Sequence, residues 1–501
     1  MSVYKASLYN YLFNSINSIV VIINGILLVP LYFHYMPVSV YGAWLASGNL
    51  MAMIGMFSGG FSGVITQKMA AAISQEKKKD FLELAGANIM TACLIASLFF
   101  LASMVLAPFV ADIVNVESEY ANDIHTAFLV SAVSSVISVF TSLCAAYAQV
   151  WQVTRAVGII SVSVNLAGIA TTIISLLSGC GVVSLALGYL VRSSTNLLLL
   201  GGWTLKYWRT HEPSKPIFRL RTIPYLMKES VFPFVSNVCR VLMYQSQSLI
   251  LAGFLSPALA AIYDITGKVA ACLYNFISMA NGSFFALLSL TFGKGNTKES
   301  NRVAGTIIQY YSIIITAIVV FSVLFSKPII HFWVGLDKYG GDFLLLMMVL
   351  STGVGQYKSV MNDILFSGGQ ISRSARYDIF SMVIYLGLLF GSIQILNEYA
   401  LPLSMLITNL FFLVVYMLFI RKYLGLDTPR ISRIIIKNTC ITVPFVLAHF
   451  IIPTNPANLW LQIILLAITS VSVFCLLMTL NKDTRHTLQV KLPVLRFFRR
   501  S

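Results

Sequence analysis

About fourteen apolar stretches of about 20 residues recur along this sequence, and they limit the fold more tightly than any motif does. Their approximate limits are 10–33, 40–65, 85–109, 126–148, 156–177, 183–205, 231–255, 259–290, 304–326, 341–367, 376–396, 399–420, 434–452 and 458–480. A stretch of this length can rest in hydrocarbon only if its backbone N–H and C=O groups bond to one another, as they do in an α-helix. The chain is 57% hydrophobic and 10% charged, with a mean hydropathy of +0.82. The sequence therefore predicts an all-α integral membrane protein. Met1 to Asn10 shows neither the basic region nor the cleavage site of a signal peptide, so the first span is expected to stay in the mature chain.

The net charge of +16 would suit nucleic acid if the basic residues formed one patch. They are spread along the chain instead, and topology explains them. With both termini cytoplasmic, all but six of the 34 Lys and Arg residues fall in inside segments. Two, Lys327 and Lys338, lie in outside loops, and four, Arg192, Arg240, Lys268 and Lys358, lie within spans. No nucleic-acid partner is expected. The basic tail Lys491–Arg500 is placed to meet anionic headgroups, or simply to stop transfer. The outside loops are too short for a soluble domain.

The inside loop 206–230 is basic and Pro-containing, where a linker between two halves would belong. Several features recur at an offset of about 220 residues: Gln152 and Arg155 with Gln370 and Arg373, Asn17 with Asn237, Tyr41 with Tyr263. Six spans per copy leave both copies in the same orientation, as in parallel-repeat transporters with a site between the halves. The expected organisation is an N-terminal six-helix bundle, 1–205; a linker, 206–230; a C-terminal six-helix bundle, 231–422; and two extra helices with a basic tail, 423–501. The two bundles would surround a central cavity.

Charge within a bilayer costs roughly 2.5–3.5 kcal/mol per group on the most lenient scale, so such groups mark a bundle interior or a wet cavity. In the hairpin 231–290 they fall on stripes. Asn237, Arg240, Tyr244 and Gln247 share one helical face, and Asp264, Lys268, Cys272 and Asn275 another. In the first span Asn10, Asn14, Asn17 and Asn24 occupy a narrow arc. These asparagines either bond between helices or line a hydrophilic path. Arg192 sits one turn before Asn196; Asp264 and Lys268 have the spacing of an ion pair. Asp363 lies near the inner end of the tenth span. The four cations and two carboxylates leave a net +2 within the membrane, which suits an anionic ligand, and arginine suits phosphate.

Catalytic signals are missing. All six histidines fall in loops or near span ends, the seven cysteines show no metal spacing, and no phosphate loop, nucleophile elbow or zinc signature is present. No enzyme activity, catalytic residue, cofactor or metal is expected.

Val40-Tyr41-Gly42-Ala43-Trp44, Gly60–Lys68, Ala261-Ile262-Tyr263 and Ile364-Leu365-Phe366-Ser367-Gly368-Gly369-Gln370 resemble the polysaccharide-unit (O-antigen, Wzx-type) flippases. That family belongs to the multidrug/oligosaccharidyl-lipid/polysaccharide exporter superfamily. The resemblance implies a flippase for an undecaprenyl-diphosphate-linked oligosaccharide, an O-antigen or related repeat unit. The lipid would pass by alternating access from the cytoplasmic to the outer leaflet of a bacterial plasma (inner) membrane. Arg192, Arg240, Lys268 and Lys358 become diphosphate candidates, and Asn237, Tyr244, Gln247, Asn14, Asn17 and Asn24 cavity candidates. Asp264 or Asp363 would couple a proton or sodium counter-ion. Membrane lipids, a polysaccharide polymerase and chain-length proteins are the implied partners. The first five spans hold no basic residue, which shifts the weight of phosphate recognition toward the second half. Two rival readings are a cation-coupled multidrug exporter, which would keep carboxylates in its cavity, and a membrane polysaccharide polymerase or ligase, which would need a sizeable outside loop.

Overall fold

The structure, a computed structural model, describes residues 17, 20, 25, 28–55, 61–151, 153–211, 214–293 and 297–451. Asn10, Asn14, Asn24, the fourteenth span and the basic tail lie outside the described residues. Those described are overwhelmingly α-helical, with no strand among them. Seven helical stretches among them are long and apolar enough to cross a membrane. These hold the third to sixth and the ninth to twelfth predicted spans, because one stretch, Ser372–Leu424, carries two spans either side of a turn at Asn397–Tyr399. The chain is an all-α integral membrane protein.

The chain divides into two compact units. The first comprises residues 1–263 with 378–383, and the second 264–377 with 384–501.

In the first unit the helices are α1 (Val38–Gly55), α2 (Phe61–Ser74), α3 (Lys78–Leu106), α4 (Ala121–Val150), α5 (Thr154–Leu177), α6 (Val183–His211), α7 (Thr222–Tyr244) and α8 (Gln247–Phe254). α4 packs against α3 and α6, α5 against α6, and α1 against α8. Glycine permits the closest crossings. A Cβ at Gly42 would stand 1.7 Å from the Pro257 carbonyl oxygen, and one at Gly86 2.2 Å from that of Ile217. The linker is therefore pressed onto α3, where the Ile217 N–H donates to the Leu82 carbonyl at 3.0 Å. Below it Ile65, Met69, Phe81, Tyr147 and Leu226 form a buried cluster. Trp208 stacks on Phe81 at 5.7 Å and meets Tyr147 edge-on at 5.4 Å. α6 contains a π-helical turn at Leu197–Gly201.

The division falls after Tyr263, inside α9 (Pro257–Gly293), rather than at the linker. The physical reason is that linker, α7 and α8 all pack on first-unit helices.

The second unit continues with α10 (Thr297–Trp333), α11 (Asp342–Ser367), α12 (Ile371–Leu396), α13 (Ala400–Leu424) and α14 (Thr428–Ile451). α11 packs on α13, and α10 on α11 and α14. α13 stops at Gly425, whose φ of +63° suits glycine; its N–H closes on the Arg421 carbonyl, and Arg421 and Lys422 complement the helix dipole there. A buried polar knot ties three helices. Asn438 of α14 donates to Ser312 Oγ of α10 at 2.9 Å, and Ser312 Oγ lies 2.8 Å from the Tyr357 hydroxyl of α11. The thirteenth predicted span is thus fastened to the second unit by more than apolar contact.

Candidate functional sites

In the first unit the predicted cation Arg192 is positioned by two glycines. α5 and α6 cross where Gly168 faces Gly188; a Cβ at Gly188 would lie 1.9 Å from Thr172 Oγ1 and 2.9 Å from the Gly168 carbonyl oxygen. Thr172 Oγ1 donates to that same carbonyl at 3.0 Å. One turn beyond Gly188, Arg192 enters a compartment of about 180 Å³. Tyr32, Tyr41, Trp44, Asn165 and Tyr189 also line it. The guanidinium carbon lies 5.3 Å from the centre of the Tyr189 ring, a cation–π arrangement. No carboxylate is among the described residues that line it.

Asn165, which lines the same compartment, donates to Asn17 Oδ1, a hydrogen bond between helices of the kind the first-span asparagines allowed. Asn196, one turn past Arg192 and just before the π turn, keeps a buried amide oxygen with no hydrogen-bond partner among the described residues. Such turns recur at functional sites.

Arg240 and Asn237 share a face of α7 as predicted, and Arg240 Nη2 donates to Asn237 Oδ1 at 2.7 Å. Arg240 and Tyr244 are exposed. The expected stripe does not run on to Gln247. α7 ends at Tyr244, Gln245 and Ser246 form a turn, and Gln247 opens α8, so helical phase is lost between them.

In the second unit Lys268 Nζ bonds Asp264 Oδ2 at 2.9 Å, with both side chains half-buried. This is the neutralising pair the spacing allowed. Lys358 is buried, 7% exposed, with Nζ 5.6 Å from the centre of the Phe412 ring. It is packed between α11 and α13. Asp363 is half-buried toward the end of α11, where its carbonyl accepts from Ser367 Oγ at 2.7 Å.

Sequence reasoning missed two features. One is the Ser312–Tyr357–Asn438 knot, whose members lie on three separate spans. The other is a second compartment of the first unit, about 560 Å³, lined by Trp44, Asn49, Ser131, Ser135, Ser138 and Tyr189 among others. The spacing of those serines was a signal available in the sequence.

On the side predicted to face the cytoplasm, a groove of about 1120 Å³ runs between α2, α3 and the linker. Two ion pairs border it, Lys68 with Glu229 at 2.7 Å and Arg219 with Glu83 at 2.9 Å. Lys68 also donates to the Tyr225 hydroxyl at 2.9 Å. Burial works against the Lys68 charge, but the bonds to Glu229 and Tyr225 outweigh it and hold the amine above its ordinary value. The hydrogen bond from Lys68 holds Glu229 below its own.

A family model described as polysaccharide biosynthesis protein matches residues 41–339. None of the curated proteins matches the sequence. Among solved structures, the lipid II flippase MurJ in an inward closed conformation superposes with a TM-score of 0.68 at 14% identity, covering 94% of this chain and 98% of that one. An inward-facing multidrug resistance MATE family transporter of the MOP superfamily gives 0.64 at 15% identity, over 83% of this chain and 95% of that one. A mutant of the Vibrio cholerae MATE transporter VcmN gives 0.57 at 12% identity, over 83% and 94%. At these identities the likeness establishes a shared fold.

Proposed function

We propose that this chain, which belongs to the family of polysaccharide biosynthesis proteins, is a flippase for a lipid-linked oligosaccharide. Its cargo is an undecaprenyl-diphosphate-linked repeat unit, carried by alternating access from the cytoplasmic to the outer leaflet of a bacterial plasma membrane, with both termini cytoplasmic. The observation that carries the reading is the Arg192 compartment, a cation held among tyrosines, a tryptophan and an asparagine amide with no carboxylate in the lining. A diphosphate needs positive charge, its sugars need amide and hydroxyl partners, and both need a polar path through hydrocarbon. An exporter of organic cations would call for the opposite charge there. The fold shared with a lipid II flippase supports the same conclusion. A proton or sodium ion at Asp264 or Asp363, and a polymerase with its chain-length proteins downstream, complete the proposal.

The test is a deletion strain in which the leaflet holding the lipid-linked repeat unit is determined. Single units trapped on the cytoplasmic leaflet are expected. Single units that reach the outer leaflet unpolymerised would make the protein a polymerase or ligase instead.

A further inference from the structure

We infer that the first unit contains a carbohydrate-binding slot, between α1, α3, α4 and α6, that takes the sugar portion of the substrate. The biological source of the sugar rests on the flippase reading; the chemistry of the slot does not. Ser131, Ser135, Ser138 and Ser142 all line it. Their spacing puts them on one face of α4, a row of hydroxyls about 16 Å long at 1.5 Å per residue. Trp44, Gly48, Asn49, Ala52 and Gly55 of α1 also line the slot, and Tyr189 comes from α6. A Cβ at Gly48 would meet nothing within 4 Å, so the small residues of α1 leave real room. The volume, about 560 Å³, is that of a small-ligand site.

Serines in membrane helices commonly donate to their own helix. Ser138 does so, to the Ser134 carbonyl at 2.9 Å, and Ser142 to that of Val139 at 2.7 Å. Each hydroxyl so bonded still has lone pairs to accept with. Ser131 is different: it is 9% exposed, and its Oγ has no hydrogen-bond partner among the described residues. An unsatisfied hydroxyl buried in a membrane bundle carries a desolvation penalty that a ligand can remove.

The lining selects the ligand class. Among the described residues it contains no Asp, Glu, Lys or Arg, so neither an organic cation nor a bare phosphate is matched. An acyl chain would leave four serines and Asn49 facing hydrocarbon. A pyranose satisfies both walls, with hydroxyls on the serines and Asn49 and a C–H face on the Trp44 or Tyr189 ring. Trp44 and Tyr189 also line the Arg192 compartment, so the neutral slot adjoins a cationic one. The pair suits a glycan with an acidic group attached.

The experiment uses the full chain in nanodiscs. Its probes are the intact lipid-linked repeat unit and the free oligosaccharide released from it by mild acid, with dissociation constants read by saturation-transfer NMR. The free oligosaccharide is expected to bind. The Ser131→Val/Ser138→Val double variant should weaken it at least tenfold, whereas Ser131→Thr, which keeps the hydroxyl, stays within twofold. Gly48→Leu, which fills open space, should abolish binding without touching a serine. Unchanged affinity in both the double variant and Gly48→Leu would overturn the slot. Binding of the intact unit but not of the free oligosaccharide would overturn it too, leaving the flippase reading intact. Binding of neither would remove both. Stronger binding of the intact unit in the double valine variant would assign the slot to the acyl chain and overturn the proposal.

Discussion

At the scale of single residues, the four cations predicted to lie within spans stand in four different environments. Lys268 is neutralised by Asp264, Lys358 is buried beside an aromatic ring, Arg240 is held by Asn237, and Arg192 lies over Tyr189 in a compartment without carboxylates. Arg192→Ala is therefore expected to reduce surface polysaccharide at least tenfold at normal membrane abundance. Arg192→Lys should recover only part, because an ammonium cannot make the paired bonds of a guanidinium. Arg240→Ala should also abolish surface polysaccharide; a normal level in that variant removes Arg240 from the site. Immunoblots of polysaccharide and of the protein measure both. The charges were legible in the sequence because a charge inside an apolar run stands out. Their partners were legible only where spacing dictated them, as at Asp264 and Lys268 or Asn237 and Arg240. Ser131 gave no such contrast, since serine is ordinary in a membrane helix until its missing partner is seen.

At the scale of elements, the α5–α6 crossing controls where Arg192 sits. Gly188→Ala sets a methyl against Thr172 Oγ1, and overpacking of this kind costs about 1–3 kcal/mol. The expected result is a lower melting temperature in detergent, partly restored by adding Thr172→Ala. The Lys68–Glu229 pair joins α2 to α7 and gives a pH signature. Glu229 is held below its ordinary value of 4.5, so its contribution is complete above that pH and is lost as pH falls through the lowered value. Lys68 is held above 10.5, so its contribution is complete below that pH and is lost as pH rises through the raised value. Between the two the difference in melting temperature between wild type and Glu229→Gln should be flat, shrinking on either side. Nearly every apolar run is a helix where the structure describes it. The break after Tyr244 coincides with the polar run Gln245-Ser246-Gln247-Ser248, which reads equally as part of a polar helical stripe, and only the structure shows it to be a turn.

At the scale of the whole molecule, the skewed distribution of Lys and Arg predicts sidedness. In a chain freed of native cysteines, Lys338→Cys should react with an impermeant maleimide on intact cells, and Lys77→Cys only after permeabilisation. The reverse pattern would invert the orientation. Fold class and the third to sixth and ninth to twelfth spans could be read from the sequence because burial in hydrocarbon demands long uninterrupted apolar helices. The limits of the two units could not. They depend on which loops and helix ends pack where, and the linker's attachment comes from Gly86 and Ile217, residues with no distinguishing pattern.

That attachment bears on how the chain can be divided. A gene cut within 206–230 looks safe, because the cut falls in a basic loop between spans. Yet a fragment ending at His211 would lack Ile217, Leu226 and Glu229, which pack against one end of its own helices. Its neighbour would begin with a segment whose seat had been left behind. Two separately expressed pieces should complement each other better when the cut falls near Leu255–Ser256, after α8, so that the first piece keeps the strap that finishes it.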